Sequence, residues 1–348
     1  MTSTAGETAP RDMKAIDEAW PSDRAAIFDG VRVRLVGAVD ALTRRVLEHY
    51  LGQPGKMARA RLLMAVVRGS PGGPAPGGLD RGAQAAAAIE LLHLGTLYHD
   101  DVIDHGHRRR GLTCIHRETG NLAAVLGGDI LLAASSQVAA ALGRDEYLVM
   151  AETLEALCRG QLLEATTIGN LDRTEEDYLA AIEGKTARLM RAAIVLGGIE
   201  AGVAGPAIDQ LGQAGLDLGL AFQMLDDVLD LVGRTAATGK RQGQDLREGV
   251  VTLPVILAMA SDPQLRTAVA AAPDDDAAVD AAIIGCLDQG AIVATCERAA
   301  QHADAARSAL APHLGDDVAV ALIDRVLQRA VVAAELAHVE DGAAHALA

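Results

Sequence analysis

Two short segments of the 348-residue chain could do the same chemistry. Asp100-Asp101-Val102-Ile103-Asp104 and Asp226-Asp227-Val228-Leu229-Asp230 both read D-D-x-x-D. Each follows an apolar run, Leu91–Tyr98 and Leu216–Leu225, that predicts a buried helix. On a helix, Asp100 and Asp104 are i,i+4 neighbours that point the same way, and so are Asp226 and Asp230. Carboxylates stacked on one face repel, so an isolated helix would not choose them. A hard divalent cation such as Mg²⁺ reverses the repulsion, and Mg²⁺ is held by a few carboxylates plus substrate phosphate oxygens. One such cluster can be a solvated acidic face. Two of identical layout, each with a basic segment just downstream, point to a diphosphate held between two helices through several metal ions.

Helices must place those carboxylates, and the composition supplies them. The chain is 50% hydrophobic, rich in Ala and Leu, and only 2% aromatic, which is a helix-former's composition. Helical periodicity runs almost throughout, with no convincing strand alternation. The clearest break is the Gly- and Pro-rich stretch Gly69–Gly78, followed by Gly143–Asp145, Gly169-Asn170, Gly233–Gly249, Asp262-Pro263 and Pro273–Asp276. None has linker length. The predicted fold class is therefore all-α, one helical domain over residues 25–340. A flexible polar tail is expected at 1–24, where Pro10 and Pro21 lie, and an Ala-rich tail at 341–348.

Composition also excludes partners. A net charge of −16 argues against nucleic acid, and the acidic clusters reconcile it with anionic substrates by binding cations that in turn bind phosphate. Charged or polar residues interrupt every apolar run, so no membrane span is expected, and the N-terminus lacks the apolar core of a signal peptide. Four cysteines (Cys114, Cys158, Cys286, Cys296) show no C-x-x-C pair, which predicts reduced thiols in a cytoplasmic protein. Gly233–Lys240 imitates a phosphate-binding loop, but its spacing is a residue too long, Arg241 replaces the Ser/Thr, and no strand precedes it.

Other residues gain meaning from their order. Gly55-Lys56-Met57-Ala58-Arg59 comes first, then His93, then Arg108-Arg109-Arg110-Gly111 after the first aspartates, then Ala124–Asp129. Lys185-Thr186-Ala187 lies between the clusters, Phe222-Gln223 just before the second, and Gly239-Lys240, Asp245-Leu246 and Thr252-Leu253-Pro254 after it. A lone Lys-Thr or Phe-Gln pair means nothing, and a histidine on an apolar helix is ordinarily a core residue. Together and in this order, from about Gly55 to Pro254, they closely resemble the trans-prenyl diphosphate synthases, the polyprenyl synthetase family.

That resemblance implies an isoprenoid synthase bundle of long helices around a central cavity, with the aspartate clusters facing each other across its mouth. It implies a homodimer and three Mg²⁺ ions that bridge the clusters to an allylic prenyl diphosphate. Ionisation would give an allylic cation, which isopentenyl diphosphate attacks in a cavity kept dry. Asp100, Asp104 and Asp226 would be direct metal ligands, with Asp101 and Asp230 as ligands or supports, and Asp227 completes the catalytic set. Arg109, Lys185 and Lys240 would grip the allylic diphosphate. Lys56, Arg59, His93 and Arg110 would form the isopentenyl diphosphate site. The Thr186 hydroxyl and Gln223 amide oxygen would stabilise the cation. Arg108, His99, His105 and His107 take no role.

This chain departs from the family pattern in places. Pro54, Met57 and Ala60 replace a Gly, an Arg and a Pro of the first motif, and Val250 stands where many members carry a Lys of the allylic site. A terpene cyclase on the same scaffold is the competing enzyme. Cyclases often hold cations against aromatic faces, whereas this chain has two Phe, four Tyr and one Trp, with Phe28, Trp20 and Tyr50 far upstream of the motifs. A non-catalytic subunit would be expected to have lost an aspartate cluster. Gly95 and Thr96, one turn before Asp100, are small and predict an open tunnel floor. The expected product is thus a medium- to long-chain polyprenyl diphosphate, with geranylgeranyl diphosphate as the shorter alternative.

Overall fold

The computed structural model describes residues 13–35, 40–51, 55–70, 73–109, 111–233 and 241–336. They are helical almost throughout. The chain runs through α1 (Met13–Leu35), α2 (Ala41–Glu48), α3 (Ala58–Gly69), α4 (Gly78–Ile103), α5 (Ile115–Thr119), α6 (Asn121–Leu142), α7 (Arg144–Thr166), α8 (Glu175–Ile182), α9 (Arg188–Glu200) and α10 (Pro206–Val232). Further helices follow at Gln244–Arg247, Leu253–Ser261, Leu265–Ala271, Asp276–Asp288, Ala291–Leu314 and Asp316–Leu336. One two-residue antiparallel ladder, β1 (Arg108–Arg109) with β2 (Leu112–Thr113), interrupts this pattern. It is too short for alternation to reveal.

Contacts divide the chain into two compact units. The first comprises residues 1–154, 192–212 and 313–318, and the second 155–191, 213–312 and 319–348. In the first, α4 is the core helix. Ala85–Ala88, Ile89, Leu91, Leu92 and Tyr98 are at most 3% exposed, as expected of a helix apolar on every side. Burying each large aliphatic side chain contributes roughly 1.5–3 kcal/mol. α6 crosses α4 closely because glycines meet: a Cβ on Gly95 would lie 3.1 Å from Gly128 O. Ser135 Oγ, on α6, donates across the crossing to Ala88 O at 2.8 Å.

The N-terminal segment differs from expectation. Residues 13–24 are not tail but the first part of α1, with Pro21 inside the helix. Partners on α3 hold it: Arg61 pairs with Asp17 at 2.6 Å, Arg68 pairs with buried Asp23, and the Arg61 guanidinium lies 5.7 Å from the Trp20 ring. A proline read locally says break, and tertiary ion pairs overrule it.

The second unit contains α8, the start of α9 and most of α10. α8 starts with a capping box, in which Asp177 N donates to Thr174 Oγ1 at 3.1 Å and Thr174 N to Asp177 Oδ2 at 3.0 Å. A single π-helical turn, Glu183–Ala187, joins α8 to α9. Such turns are rare and concentrate at functional sites.

One helix meets the length and apolarity that the interrupted runs of the sequence did not suggest. By length and composition α6 is long and apolar enough to cross a bilayer, and 44% of its most apolar window is buried inside the protein. Asp129 interrupts the run of letters without lowering the average enough.

Candidate active site

Both aspartate clusters lie at the ends of long helices. Asp100 and Asp101 are in the last turn of α4, and Asp104 caps it, its N–H donating to Asp100 O at 2.8 Å. Asp226, Asp227 and Asp230 lie in the last two turns of α10. A helix C-terminus carries partial negative charge, so a carboxylate in the last turn, such as Asp100 or Asp230, costs about 0.3–1 kcal/mol. A bound cation would relieve that charge. Asp100, Asp226 and Asp230 are half-buried and Asp104 is exposed, so hard oxygen donors are within reach. Among the described residues, no three His, Cys, Asp or Glu side chains gather into a metal-holding group. Mg²⁺ suits such a set, because it takes one or two carboxylates and completes its shell with water and phosphate oxygens. The residues present fit it.

The middle aspartates do not share that exposure. Asp101 is 1% exposed and Asp227 4%. Asp101 accepts hydrogen bonds from the Tyr50 hydroxyl and, at 2.5 Å, from Arg109 Nε. Asp227 accepts from the Tyr178 hydroxyl at 2.6 Å and from Gln223 Nε2 at 2.8 Å. Neither carboxylate faces outward beside its neighbours, because consecutive residues on a helix point about 100° apart. Burial, followed by the nearby charges of Asp226 and Glu164, pushes the Asp227 carboxyl up to about 7, against the pull of Tyr178 and Gln223. For Arg109, burial works against the charge, but bonding to Asp101 outweighs it and the guanidinium is raised.

Asp230 has a second task. Its carboxylate accepts from Gln244 N at 3.2 Å and Asp245 N at 3.1 Å, so it caps the short helix Gln244–Arg247. The π turn carries Lys185 and Thr186. Lys185 pairs with Glu164 of α7, and Thr186 Oγ1 donates to Gln223 Oε1 at 2.8 Å. The two residues expected to face the cation therefore meet, and one lone pair of the Gln223 oxygen is already engaged. Glycines press this turn between its neighbours. A Cβ on Gly160 would sit 2.3 Å from Lys185 N, and one on Gly219 2.4 Å from Ala187 Cα.

In the first unit, an Arg59 guanidinium nitrogen lies 3.1 Å from His93 Nε2, which joins two residues of the expected isopentenyl diphosphate site. Lys56 is exposed nearby in sequence. Arg110 and Lys240 lie outside the described residues. Val250, in the place of the usual lysine, lines a small cavity of 110 Å³ with Leu171, Val269 and Pro273.

The tunnel floor needs correction. Gly95 does not face open space: its Cβ would meet Leu132 Cδ2 at 2.9 Å. It is a helix-crossing glycine. Thr96, half-buried and one turn before Asp100, is on the helix face that carries the outer aspartates.

Sequence reasoning missed four residues. Tyr50 lies 51 positions before Asp101, and no local pattern links them. Tyr178 stands about two helical turns before Lys185, a spacing that by itself assigns no role. Glu164 and Arg173 gave no signal. The Arg173 guanidinium is 4% exposed and lies 5.7 Å from the Tyr178 ring. Burial lowers it against the charges of Glu164 and Asp227.

Comparison with known proteins fits this geometry. The polyprenyl synthetase family model matches residues 40–285. The nonaprenyl diphosphate synthase of Mycobacterium tuberculosis is 38% identical over 253 residues, 70% of this chain and 75% of that protein. Component 2 of the heptaprenyl diphosphate synthase of Geobacillus stearothermophilus is 38% identical over 211 residues, 60% of this chain and 66% of that protein. A crystal structure of a polyprenyl synthase from Caulobacter crescentus, complexed with calcium and isoprenyl diphosphate, superposes with a TM-score of 0.82 at 31% identity, covering 92% of this chain and 97% of that one. The fold is the all-α isoprenoid synthase fold, and the chain belongs to the polyprenyl synthetase family of trans-prenyltransferases.

Proposed function

We propose that this chain joins isopentenyl diphosphate to an allylic prenyl diphosphate and repeats the step to a linear medium- to long-chain polyprenyl diphosphate. One observation carries the reading: two D-D-x-x-D segments at helix C-termini, each with its outer carboxylates accessible and its inner one buried. Arg59 with His93, and Lys185 on its π turn, are cationic or protonatable groups suited to two diphosphates. Mg²⁺, three ions by family likeness, would neutralise the charge that grows on the departing diphosphate. Asp100, Asp104, Asp226 and Asp230 would hold it, while Thr186 and Gln223 present oxygen atoms to the allylic cation. The relatives whose names give a chain length between seven and nine isoprene units support the longer product over a cyclised one.

A homodimer fits the exposed apolar face of α6, where Leu122 is 73% and Leu126 51% exposed, with Val125 and Ile130 alongside. Unpaired cysteines, three of them buried, fit a reducing cytoplasm.

The test is direct. Purified protein is given isopentenyl diphosphate, each allylic primer in turn and Mg²⁺, and the products are sized. Linear chains beyond fifteen carbons are expected. Failure to elongate any primer, or a cyclic product, sinks the proposal.

A further inference from the structure

The inner aspartates raise a question the reaction does not answer. A buried carboxylate is costly unless it is well bonded, and a helix face meant only for metal has no use for one. Yet both clusters keep one, and both treat it alike. Asp101 meets the hydroxyl of Tyr50, Asp227 that of Tyr178. Both tyrosines are 1% exposed, and each comes from a different part of the chain, 51 and 49 residues from its aspartate.

The tyrosines are themselves fixed. The Tyr50 ring stands edge-on to Tyr98, with centroids 5.1 Å apart and planes at 85°, and also meets His49 at 4.7 Å. Tyr98 is anchored in turn, its hydroxyl donating to Val46 O at 2.5 Å. Tyr178 sits in α8, whose start is held by a capping box, with Arg173 against its ring. A phenol bonded to a carboxylate is a charge-assisted contact, stronger than a neutral hydrogen bond.

Such a contact resists rotation of the helix about its own axis. A carboxylate about 6 Å from the axis moves about 1 Å for a rotation of about 10°. A misplacement of about 1 Å in a catalytic array costs on the order of 100-fold. Outer-shell partners that orient metal ligands directly change metal affinity about 10–100-fold when removed, and a peg that orients the ligands through their helix acts on the same geometry.

We propose that Tyr50 and Tyr178 are positioning residues that, by holding Asp101 and Asp227, set the rotation of α4 and α10 so that the outer aspartates are ready for metal. The inference rests on the reading of those outer aspartates as metal ligands. It adds a use for the inner pair: they are pegs and do not touch the ion.

The experiment uses the full chain and Mn²⁺ as the probe. Mn²⁺ binding is titrated through the loss of its free-ion paramagnetic resonance signal, for wild type, Tyr50→Phe and Tyr178→Phe. Each phenylalanine keeps the ring packing and removes only the hydroxyl. Mn²⁺ affinity is expected to fall about 10–100-fold in each variant, with turnover restored at high metal concentration. Asp100→Ala, which loses a ligand, should not be rescued. An affinity within twofold of wild type in both phenylalanine variants overturns the proposal, whatever happens to melting temperature, since a purely structural role moves only the latter. Should a phenylalanine variant not fold, Asp101→Asn and Asp227→Asn are titrated in the same way. Each keeps an acceptor for the hydroxyl, so affinity is expected to stay above that of Asp100→Ala, and a loss as deep as that variant's shows the inner carboxylates to be ligands and overturns it. Absence of chain elongation by a wild type that binds Mn²⁺ normally would sink the proposed reaction and leave the positioning result standing.

Discussion

Asp101 and Asp227 hold the same place in two identical motifs, but the charge that meets them differs. Asp101 is bonded by a phenol and a guanidinium, Tyr50 and Arg109. Asp227 is bonded by a phenol and an amide, Tyr178 and Gln223, both neutral. The second cluster has an arginine too, but Arg173 stands one ring further away, against Tyr178. The first inner carboxylate is therefore charge-compensated by contact, and the second only at a distance. Its rise to about 7 follows, led by burial and helped by Asp226 and Glu164. A shared five-letter motif thus specifies the outer carboxylates and leaves the electrostatics of the inner one to residues far away in sequence.

The largest effect should be common to both regions. Asp100→Ala and Asp226→Ala are each expected to lower turnover by about 10³-fold or more, with helix content unchanged by circular dichroism. Full activity of either variant would mean that one cluster is only an acidic surface. A smaller effect separates the regions. Gly160→Ala puts a Cβ 2.3 Å from Lys185 N, a backbone atom that cannot swing aside, whereas Gly95→Ala in the first unit meets chiefly the Leu132 side chain at 2.9 Å. Overpacking of this kind costs about 1–3 kcal/mol. Gly160→Ala should therefore displace the π turn and weaken use of the allylic substrate, while Gly95→Ala should change melting temperature modestly and kinetics little. Equal kinetic defects in the two would show that the turn adapts.

Charge compensation is tested by neutralising each inner carboxylate. Asp101→Asn strands Arg109, a guanidinium 30% exposed in its side chain, and should cost about 1–3 kcal/mol after allowance for solvent. Asp227→Asn strands no cation in contact and should cost less. The pH dependence has a definite sign. The folded Asp227 pKa lies above the usual carboxylate value, so the folded state holds more protons than the unfolded one between about 4 and 7. In chelator, the wild type should lose stability through that window as pH rises, and Asp227→Asn should not. Parallel melting-temperature curves for the two proteins would contradict this.

How much was legible in the sequence follows the same division. Spacing on one helix is local information, so the outer aspartates, the buried runs before them and the breaks at Gly69–Gly78 and Gly143 were readable from period and composition. Contacts between distant segments were not. Tyr50 lies far upstream of the motifs, yet folding brings it to Asp101. Pro21 read as a tail residue because local propensity knows nothing of Arg61 and Arg68. Gly95 read as empty space because a missing side chain can mean either a cavity or another helix, and only the neighbour, Leu132, decides.

That last distinction yields the finest test. If the growing prenyl tail runs down the face of α4 that carries Asp100 and Asp104, the residue that limits it is Thr96. It is half-buried, four positions before Asp100, and its hydroxyl is turned back to His93 O at 2.9 Å. Gly95 points elsewhere, into the crossing with α6. Thr96→Phe should then shorten the product by one or more isoprene units, each close to one helical turn of ~5.4 Å, with condensation rates changed only a few-fold. Gly95→Phe should destabilise the fold instead, because the ring has Gly128 and Leu132 in its way. Sizing the products of both variants beside their melting temperatures separates the two faces. A shortened product from a stable Gly95→Phe, with Thr96→Phe making full-length chains, would reverse the assignment and place the tail on the α6 side.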